Sequence, residues 1–370
     1  MSPKTEITIL ILAAIAAGII LKFGFGGERD FENAALGTLT VQYQAAGPEG
    51  VKVHTIKQPE SEIASMLSHA QGSDALVLVL GNSQTHSINQ KEKGHVVYPE
   101  LLQNRLPDRI FLTNSLPNAN LQEFYTILNW WNDQLDFKTV LIPVFMDDLR
   151  EDGLRKDFLK GLVRDEHTIE PELDELDTEW NQILASFQNT QEEGTVSSEG
   201  IETPQERSEK YITSWLSDRS EMWQNRPNAR GDLFMKLYQW RNQLFGINAS
   251  TKRKIIPARY DKNLTALSKI LNFCQERGIN CVVYIPPIRT DVEVPYDLNE
   301  YALFKEEVQQ ITEMTQTSQF HDLDGIIPGK YWGLKASTNT DAEPELDFMH
   351  FQFRGHEILA DSLEQILRRQ

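Results

Sequence analysis

One serine and a distant aspartate–histidine pair have the residue types and spacing needed for acyl transfer. Asp347 lies three residues before His350, a spacing that can place a carboxylate behind an imidazole. Ser83 follows a glycine and an asparagine at the end of an apolar run, so its hydroxyl could face that imidazole from a turn. A nucleophile, a base that accepts its proton and a carboxylate that orients the base make up an acyl-transfer triad. The sequence therefore predicts Ser83, His350 and Asp347 as catalytic residues.

The segment before Ser83 has the composition of a central strand in a parallel sheet. It reads Asp74-Ala-Leu-Val-Leu-Val-Leu80 and ends directly in Gly81-Asn82-Ser83. A short continuous apolar run of this kind suits a strand that is buried on both faces. Ser83 would then lie at the carboxyl end of that strand, where open α/β sheets place their sites. Taken alone, Ser83 is more simply explained as the N-cap of a helix, and only its pairing with the distant histidine favours catalysis.

These segments resemble the sequence blocks of SGNH (GDSL-type) hydrolases and acyltransferases. Gly81-Asn82-Ser83 resembles the first block, with asparagine where aspartate is commonest, and Asp347-x-x-His350 resembles the last block. The resemblance covers residues 74–148 and 261–370. It implies an α/β fold of the SGNH/flavodoxin-like type, a three-layer sandwich around a parallel sheet.

The two middle blocks differ from the family pattern. The segment 114–119 resembles the second block, with Asn118 where a glycine normally supplies an N–H group to the oxyanion hole. Asp148 stands where the third block has an oxyanion-binding asparagine. An ionised carboxylate at this position would repel an oxyanion and could not bind it. The resemblance implies that the Ser83 N–H and Asn118 bind the oxyanion. The other oxyanion or pocket residues that it implies are Asn82, Asn114 and Asp148.

The altered middle blocks resemble one branch of the family in particular. Membrane-anchored SGNH proteins that modify cell-envelope polymers, such as the teichoic acid D-alanylation protein and alginate-type O-acetyltransferases, keep the triad while altering these blocks. This resemblance implies an extracytoplasmic serine O-acyltransferase or esterase that acts on an envelope polysaccharide or related polymer through an acyl-enzyme. It also implies an acyl donor, a glycan or polymer acceptor and a membrane-bound O-acyltransferase partner, with no cofactor and no metal. The alternative is a non-catalytic SGNH-fold partner of a membrane acyltransferase or export complex.

Length and charge limit the classes of function. The chain has 370 residues, of which 40% are hydrophobic, enough for one enzyme-sized domain with additional segments. The formal net charge of −18 argues against a nucleic-acid partner, as does the absence of a basic stripe from the sequence.

The N-terminal segment predicts membrane attachment. Residues 7–21 carry no charge, and Lys22 can extend its amine to the interface so that the apolar Phe23 and Phe25 prolong the span. We expect residues 1–27 to be a retained anchor, with the rest of the chain in the periplasm or at the cell surface. The alternative is a cleaved signal peptide with its cleavage site among the small residues at 13–18. Retention is favoured because the apolar run continues past that site.

Alternating strand and helix patterns predict the rest of the architecture. An apolar run at 139–145 and further runs at 109–113, 280–285 and 319–323 predict strands, and helices are expected near 120–134, 262–277 and 298–315. Such alternation favours a parallel sheet with helices on both faces. The predicted segments are a juxtamembrane piece at 28–73, a first SGNH part at 74–148, an insert at 149–260 and a second SGNH part at 261–370.

The insert is acidic and helix-forming, with a polar linker at 189–203. The tryptophans of the insert are Trp180, Trp215, Trp223 and Trp240. They could fill a hydrophobic core within the insert. Alternatively, the insert could be a lid or docking surface beside the site.

Three further side chains leave alternatives open. Arg289, after the strand at 280–285, could clamp an anionic substrate with its planar fork or could be an ordinary surface arginine. Cys274 and Cys281 flank a helix-to-strand turn and could form a disulfide in an oxidising compartment or remain buried thiols. Their spacing and surroundings argue against a metal site.

Overall fold

The structure is a computed structural model that describes residues 39–42, 52–54, 67–68, 70, 72–154, 239–240, 242–246, 248–338 and 343–370. The predicted anchor at 1–27 lies outside these residues, as do the linker at 189–203 and most of the insert, including Trp180, Trp215 and Trp223. Within the described ranges, no helix combines the length and the apolar character that a membrane crossing requires.

The described part is built around a six-stranded sheet in which every neighbouring pair of strands is parallel. Along the chain the described strands are β1 Thr40–Gln42, β2 Lys52–His54, β3 Leu76–Gly81, β4 Ser87–Asn89, β5 Ile110–Ser115, β6 Phe137–Pro143, β7 Asn280–Ile285, β8 Ser318–Asp322, β9 Trp332–Lys335 and β10 Glu345–Phe351. The sheet has the order β2-β5-β3-β6-β7-β8. From β5 onward this is the 2-1-3-4-5 order of flavodoxin-like folds. The predicted α/β fold with a parallel sheet is confirmed.

Helices cover both faces of the sheet. They are α1 Ser83–His86, α2 Tyr98–Arg105, α3 Leu121–Asn132, α4 Pro257–Glu276, α5 Leu298–Glu313 and α6 Phe353–Leu367. Helix α2 packs against α6, whereas α4 packs against both α3 and α5. The connection from β3 to β5 runs along the sheet in the direction opposite to the later connections. Because such crossovers are right-handed, α2 lies on the face opposite α3, α4 and α5.

Strand β3 holds the centre of the core. All six of its residues are buried, as expected for a strand covered on both faces. Val77 and Val79 point into an apolar cluster with α2 and α6. The sheet order reverses between β3 and β6, the type of position at which open α/β sheets bind ligands.

Two small antiparallel pairs lie outside the main sheet. Strand β1 pairs with β4, and β9 pairs with β10. Asp347 and His350 lie within β10, which ends at Phe351 directly before α6 begins at Phe353. The pairing of β10 with β9 is a contact that local spacing does not reveal.

Buried His356 makes the stability of the fold sensitive to acid. The Nδ1 atom of His356 on α6 accepts a hydrogen bond from the Tyr98 N–H at 3.2 Å, and Nε2 donates to the Ser87 carbonyl at 3.1 Å. Burial, which outweighs the bond to Ser87, lowers the pKa of His356 to about 3, from 6.5 in the unfolded chain. Between these values the unfolded chain binds a proton that the folded protein does not bind. Acid therefore favours unfolding in this range.

We expect the free energy of unfolding to fall as the pH drops below 6.5, with His356 contributing up to about 1.4 kcal/mol per pH unit. Urea unfolding at a series of pH values measures this slope. A His356→Gln variant should be less stable near neutral pH but should show a shallower slope. Equal slopes in the two proteins would contradict the assignment.

Candidate active site

The nucleophile turn is positioned by the end of β3. Asn82 has an extended backbone, and its Oδ1 accepts the Gln84 N–H at 3.0 Å, so Asn82 is the N-cap of α1. A Cβ at Gly81 would overlap the Thr85 side chain, so glycine is needed for the close approach of strand and helix. Ser83 is the first residue of α1 and is partly exposed. The N-cap explanation for Ser83 was wrong, because its neighbour has that role.

The structure brings the three predicted catalytic side chains into a hydrogen-bonded line. Ser83 Oγ lies 3.0 Å from His350 Nε2, and His350 Nδ1 lies 3.0 Å from Asp347 Oδ2. The Nδ1–H of His350 can donate to the carboxylate, which leaves Nε2 to accept the serine proton. The line can therefore transfer a proton away from an attacking hydroxyl.

Asp347 is held as an anion although it is only 1% exposed. Its Oδ1 accepts the backbone N–H groups of Met349 and His350, both at 2.9 Å. Burial alone would raise the pKa of Asp347, but the charge and hydrogen bond of His350, together with these N–H groups, lower it to about 2. The carboxylate is therefore ionised at neutral pH and can stabilise an imidazolium.

Asn89 is a supporting residue that the sequence did not reveal. Its Nδ2 lies 3.4 Å from Asp347 Oδ2 and 2.9 Å from both the Leu334 carbonyl and the Thr40 hydroxyl. A Cβ at Gly333 would overlap the Asn89 side chain, so β9 approaches this amide closely. Asn89 thereby connects β1, β4 and β9 to the carboxylate.

Gln84 connects the nucleophile turn to the histidine strand and was also missed. The side chain is 2% exposed, and its Nε2 donates to the carbonyls of Met349 at 2.7 Å and Pro287 at 2.8 Å. Met349 directly precedes His350, and Gln84 directly follows Ser83. The amide therefore bridges the two backbones that hold the reacting atoms, and it helps to set the distance between Ser83 Oγ and His350 Nε2.

Replacing Gln84 by methionine should lower kcat for a small ester by about 10- to 100-fold, because displacements near 1 Å cost factors of this size. The two unpaired carbonyls should also reduce the free energy of unfolding by about 1–3 kcal/mol. Steady-state kinetics and urea unfolding measure the two effects. A matched control is Gln103→Met, since Gln103 makes a similar amide bridge, to Arg109 and Phe111, away from the triad. If Gln84→Met loses stability but its kcat falls no more than that of Gln103→Met, Gln84 has no positioning role.

The predicted oxyanion and pocket residues have different surroundings. Asn118 is exposed and has a φ of 50°, a backbone conformation that favours glycine, which fits its match to a glycine position. The turn that holds Asn118 is connected to β3, the strand before the nucleophile, by a 2.9 Å hydrogen bond from the Leu116 N–H to the Gly81 carbonyl.

Asn114 is buried, and its Oδ1 accepts the Trp131 indole N–H at 2.8 Å. The side chain of Asn114 thus packs against α3, and its place in the pocket stays a prediction.

Asn82 and Asp148 contact each other beside the nucleophile. Asp148 begins a short 3-10 helix after β6 and is 4% exposed. The Asn82 Nδ2 donates to both carboxyl oxygens of Asp148, at 3.2 and 3.3 Å. The two residues that differ from the first and third family blocks thus form one pair.

The guanidinium of Arg289 is already bound to a carboxylate. Its Nε and Nη2 donate to the two carboxyl oxygens of Asp291 at 2.8 and 3.2 Å, and Nη1 donates to the Gly333 carbonyl at 3.1 Å. An anionic substrate would have to displace Asp291 to use the same donors. The predicted clamp is therefore not available in this structure.

Cys274 and Cys281 are buried free thiols in this structure. Within the part of the chain that the structure describes, no group of three histidine, cysteine, aspartate or glutamate side chains is arranged to hold a metal ion.

Comparisons with known proteins find similarity only to solved structures. No family model and no curated protein matches the chain. The acetylxylan esterase Axe2 from Geobacillus stearothermophilus has a TM-score of 0.36 and 11% identity, over 80% of this chain and 95% of that one. LAE5, an alpha/beta hydrolase enzyme from the metagenome of Lake Arreo, Spain, has a TM-score of 0.34 and 10% identity, over 79% and 94%. TM-scores this low carry no weight for fold or function, which rest on the strand order and side-chain geometry described above.

Proposed function

We propose that the protein is a serine esterase or O-acyltransferase of SGNH type that forms an acyl-enzyme on Ser83. The observation that carries this proposal is the hydrogen-bonded line from Ser83 through His350 to Asp347. As Ser83 Oγ attacks the acyl carbonyl, His350 accepts its proton at Nε2 and then returns it to the leaving group. Asp347 keeps the proton of the neutral imidazole on Nδ1 and stabilises the imidazolium that forms.

The exposure of the three side chains supports catalysis over a purely structural role. Asp347 and His350 are buried, whereas Ser83 is partly exposed, so a substrate can reach the hydroxyl but not the carboxylate. Burying an ionised carboxylate is costly unless it is paired. The fold nevertheless keeps one behind a histidine whose other nitrogen contacts an accessible serine. A non-catalytic assembly partner would have no need for this arrangement.

The developing oxyanion needs donors that are fixed before the reaction. We assign this role to the backbone N–H of Ser83 at the start of α1 and to Asn118, whose turn is connected to β3. Such preorganised donors typically contribute about 3 kcal/mol each to transition-state stabilisation. The acyl-enzyme is then resolved by water or by another hydroxyl.

We further propose that the reaction takes place outside the cytoplasm and that its substrate is an envelope polysaccharide or related polymer. It rests on the resemblance to membrane-anchored SGNH proteins and on the uncharged run at residues 7–21. A membrane-bound O-acyltransferase would supply acyl groups as partner. Carbonate-resistant fractionation of the full-length chain with membranes would support retention of the anchor, whereas a shortened soluble form would indicate a cleaved signal peptide.

An acetyl-ester assay tests the proposed reaction. The purified full-length chain should release acetate from an aryl acetate, and a His350→Ala variant should not. Adding a hydroxylated glycan separates the two outcomes, because transfer yields acetylated glycan whereas hydrolysis yields only free acetate. A folded protein that releases no acetate with any small ester would instead support the non-catalytic assembly partner.

A further inference from the structure

Two adjacent aspartates near the nucleophile turn have opposite surroundings. The carboxylate of Asp147 contacts Arg253, lies 3.4 Å from Arg150 Nη1 and accepts the Tyr296 hydroxyl at 3.0 Å. Asp148 is more deeply buried, and no cation pairs with it in the described part of the chain. Its carboxyl oxygens instead share the single amide group of Asn82. The nearby positive charges are thus bound to one aspartate and not to the other.

The groups that face Asp148 favour its neutral form. Burial is the strongest influence and raises the pKa of Asp148 well above its ordinary value of 3.8. The negative charges of Asp147 and Glu151 act in the same direction, whereas hydrogen bonds from Asn82 and the Phe145 backbone lower this pKa without offsetting burial. Tyr296, which also interacts with Asp148, is itself uncharged, because burial raises the pKa of its hydroxyl well above 10.0. A buried carboxyl without a cation commonly neutralises in this way.

Asn82 connects this carboxyl to the reacting serine. Its Nδ2 contacts Asp148, its Oδ1 caps α1 through the Gln84 N–H, and its backbone carbonyl accepts the Ser115 hydroxyl at 2.7 Å. Ser83 is the next residue along the chain. A change of charge on Asp148 would therefore act both on the orientation of the nucleophile turn and on any negative charge that develops beside it.

We propose that Asp148 is a neutral carboxylic acid at physiological pH and serves as a positioning residue, acting through Asn82, for the acyl-transfer reaction proposed above. In this state one carboxyl oxygen accepts the Asn82 amide and the other carries the proton, so no negative charge lies beside the nucleophile turn. This resolves the conflict noted in the sequence, where an aspartate replaces an oxyanion-binding asparagine. The two family departures, at Asn82 and Asp148, then form one functional pair.

The pH dependence of kcat for an aryl ester, corrected with Ser83→Ala as background, tests the proposal. In the wild type, kcat should fall by about 10-fold or more as alkaline pH ionises Asp148, because a new charge beside the nucleophile turn raises the barrier. In an Asp148→Asn variant, which is isosteric and cannot ionise, the ratio of the kcat values before and after this fall should return to near one. The matched control, Asp291→Asn, removes a carboxylate that is paired with Arg289 and does not contact Asn82 or Asp148, and it should keep the alkaline loss. A role in folding alone would change the unfolding temperature without changing these ratios.

Infrared difference spectroscopy gives a second readout that does not depend on activity. The wild type at pH 7 should show a carbonyl band of a protonated carboxylic acid that is missing from Asp148→Asn. Absence of this band, or an equal alkaline loss in the wild type and Asp148→Asn, would overturn the proposal. If no Ser83-dependent activity exists at any pH, the proposed reaction fails while the infrared band still decides the state of Asp148. If the variant does not fold, selective ¹³C labelling of aspartate carboxyls in the wild type reports the same protonation state.

Discussion

Replacing Ser83 by alanine is expected to lower kcat for aryl-acetate hydrolysis by on the order of 10⁶-fold, the size of effect seen when a triad nucleophile is removed from serine proteases. The alanine lacks the Oγ atom that must bond to the acyl carbon, so only nonspecific hydrolysis remains. The free energy of unfolding should change little, since Ser83 is partly exposed. Background-corrected kinetics with urea unfolding measure both quantities.

The matched control for this variant is Ser115→Ala. Ser115 also lies beside a histidine, with its Oγ 2.6 Å from His86 Nδ1, but it is fully buried and also binds the Asn82 carbonyl. Its loss should mainly reduce stability, by about 1–3 kcal/mol. Comparable losses of kcat in the two variants, with both folded, would mean that Ser83 is not the nucleophile.

The second large effect is expected for Asp347→Asn, which should lower kcat by about 10⁴-fold, as the equivalent change does in a serine-protease triad. An asparagine presents an amide that can donate to Nδ1, which favours the tautomer with its proton on Nε2. That tautomer cannot accept the Ser83 proton. The variant also removes the carboxylate that stabilises the imidazolium.

Steady-state kinetics near neutral pH, with circular dichroism to verify the fold, checks this expectation. Asp291→Asn is the matched control, because Asp291 is a carboxylate whose partner, Arg289, lies outside the triad. The control should lose less than about tenfold in kcat, the scale on which a surface ion pair matters. If Asp347→Asn loses no more than the control, the carboxylate does not orient His350.

Part of the site could be predicted because its signals are local. The apolar run before Ser83 indicates a central strand by itself, and such strands in open α/β sheets end at the binding edge. The spacing between Asp347 and His350 is short enough for one backbone segment to bring the two side chains together. The strand at 280–285 has the predicted bounds, because its apolar run is sharply delimited.

Other features depend on distant partners that no local pattern encodes. Gln84 reaches carbonyls more than 200 positions away in the chain, and Asn89 bonds to Leu334. Any buried amide could make such bonds, so residue type alone does not locate them. Strand β10 depends in the same way on pairing with β9.

The burial of Asn114 follows from the strand that holds it. Strand side chains alternate between faces, and Asn114 shares its face of β5 with Leu112 and Ile110. This alternation predicts burial against a helix, where Trp131 is found, although the resemblance alone indicates a pocket residue. The anchor at 1–27 and the roles of the insert at 149–260 remain predictions.

Labelling with a fluorophosphonate, followed by peptide mass spectrometry, tests the central claim most directly. The reagent mimics an acyl group and bonds covalently to a serine whose proton a neighbouring base can accept. We predict one adduct per folded chain, located on Ser83, formed far more slowly in Asp347→Asn and absent from Ser83→Ala. A folded wild-type chain that forms no adduct, or forms it on another serine, would contradict the assignment of Ser83, His350 and Asp347 as an acyl-transfer triad.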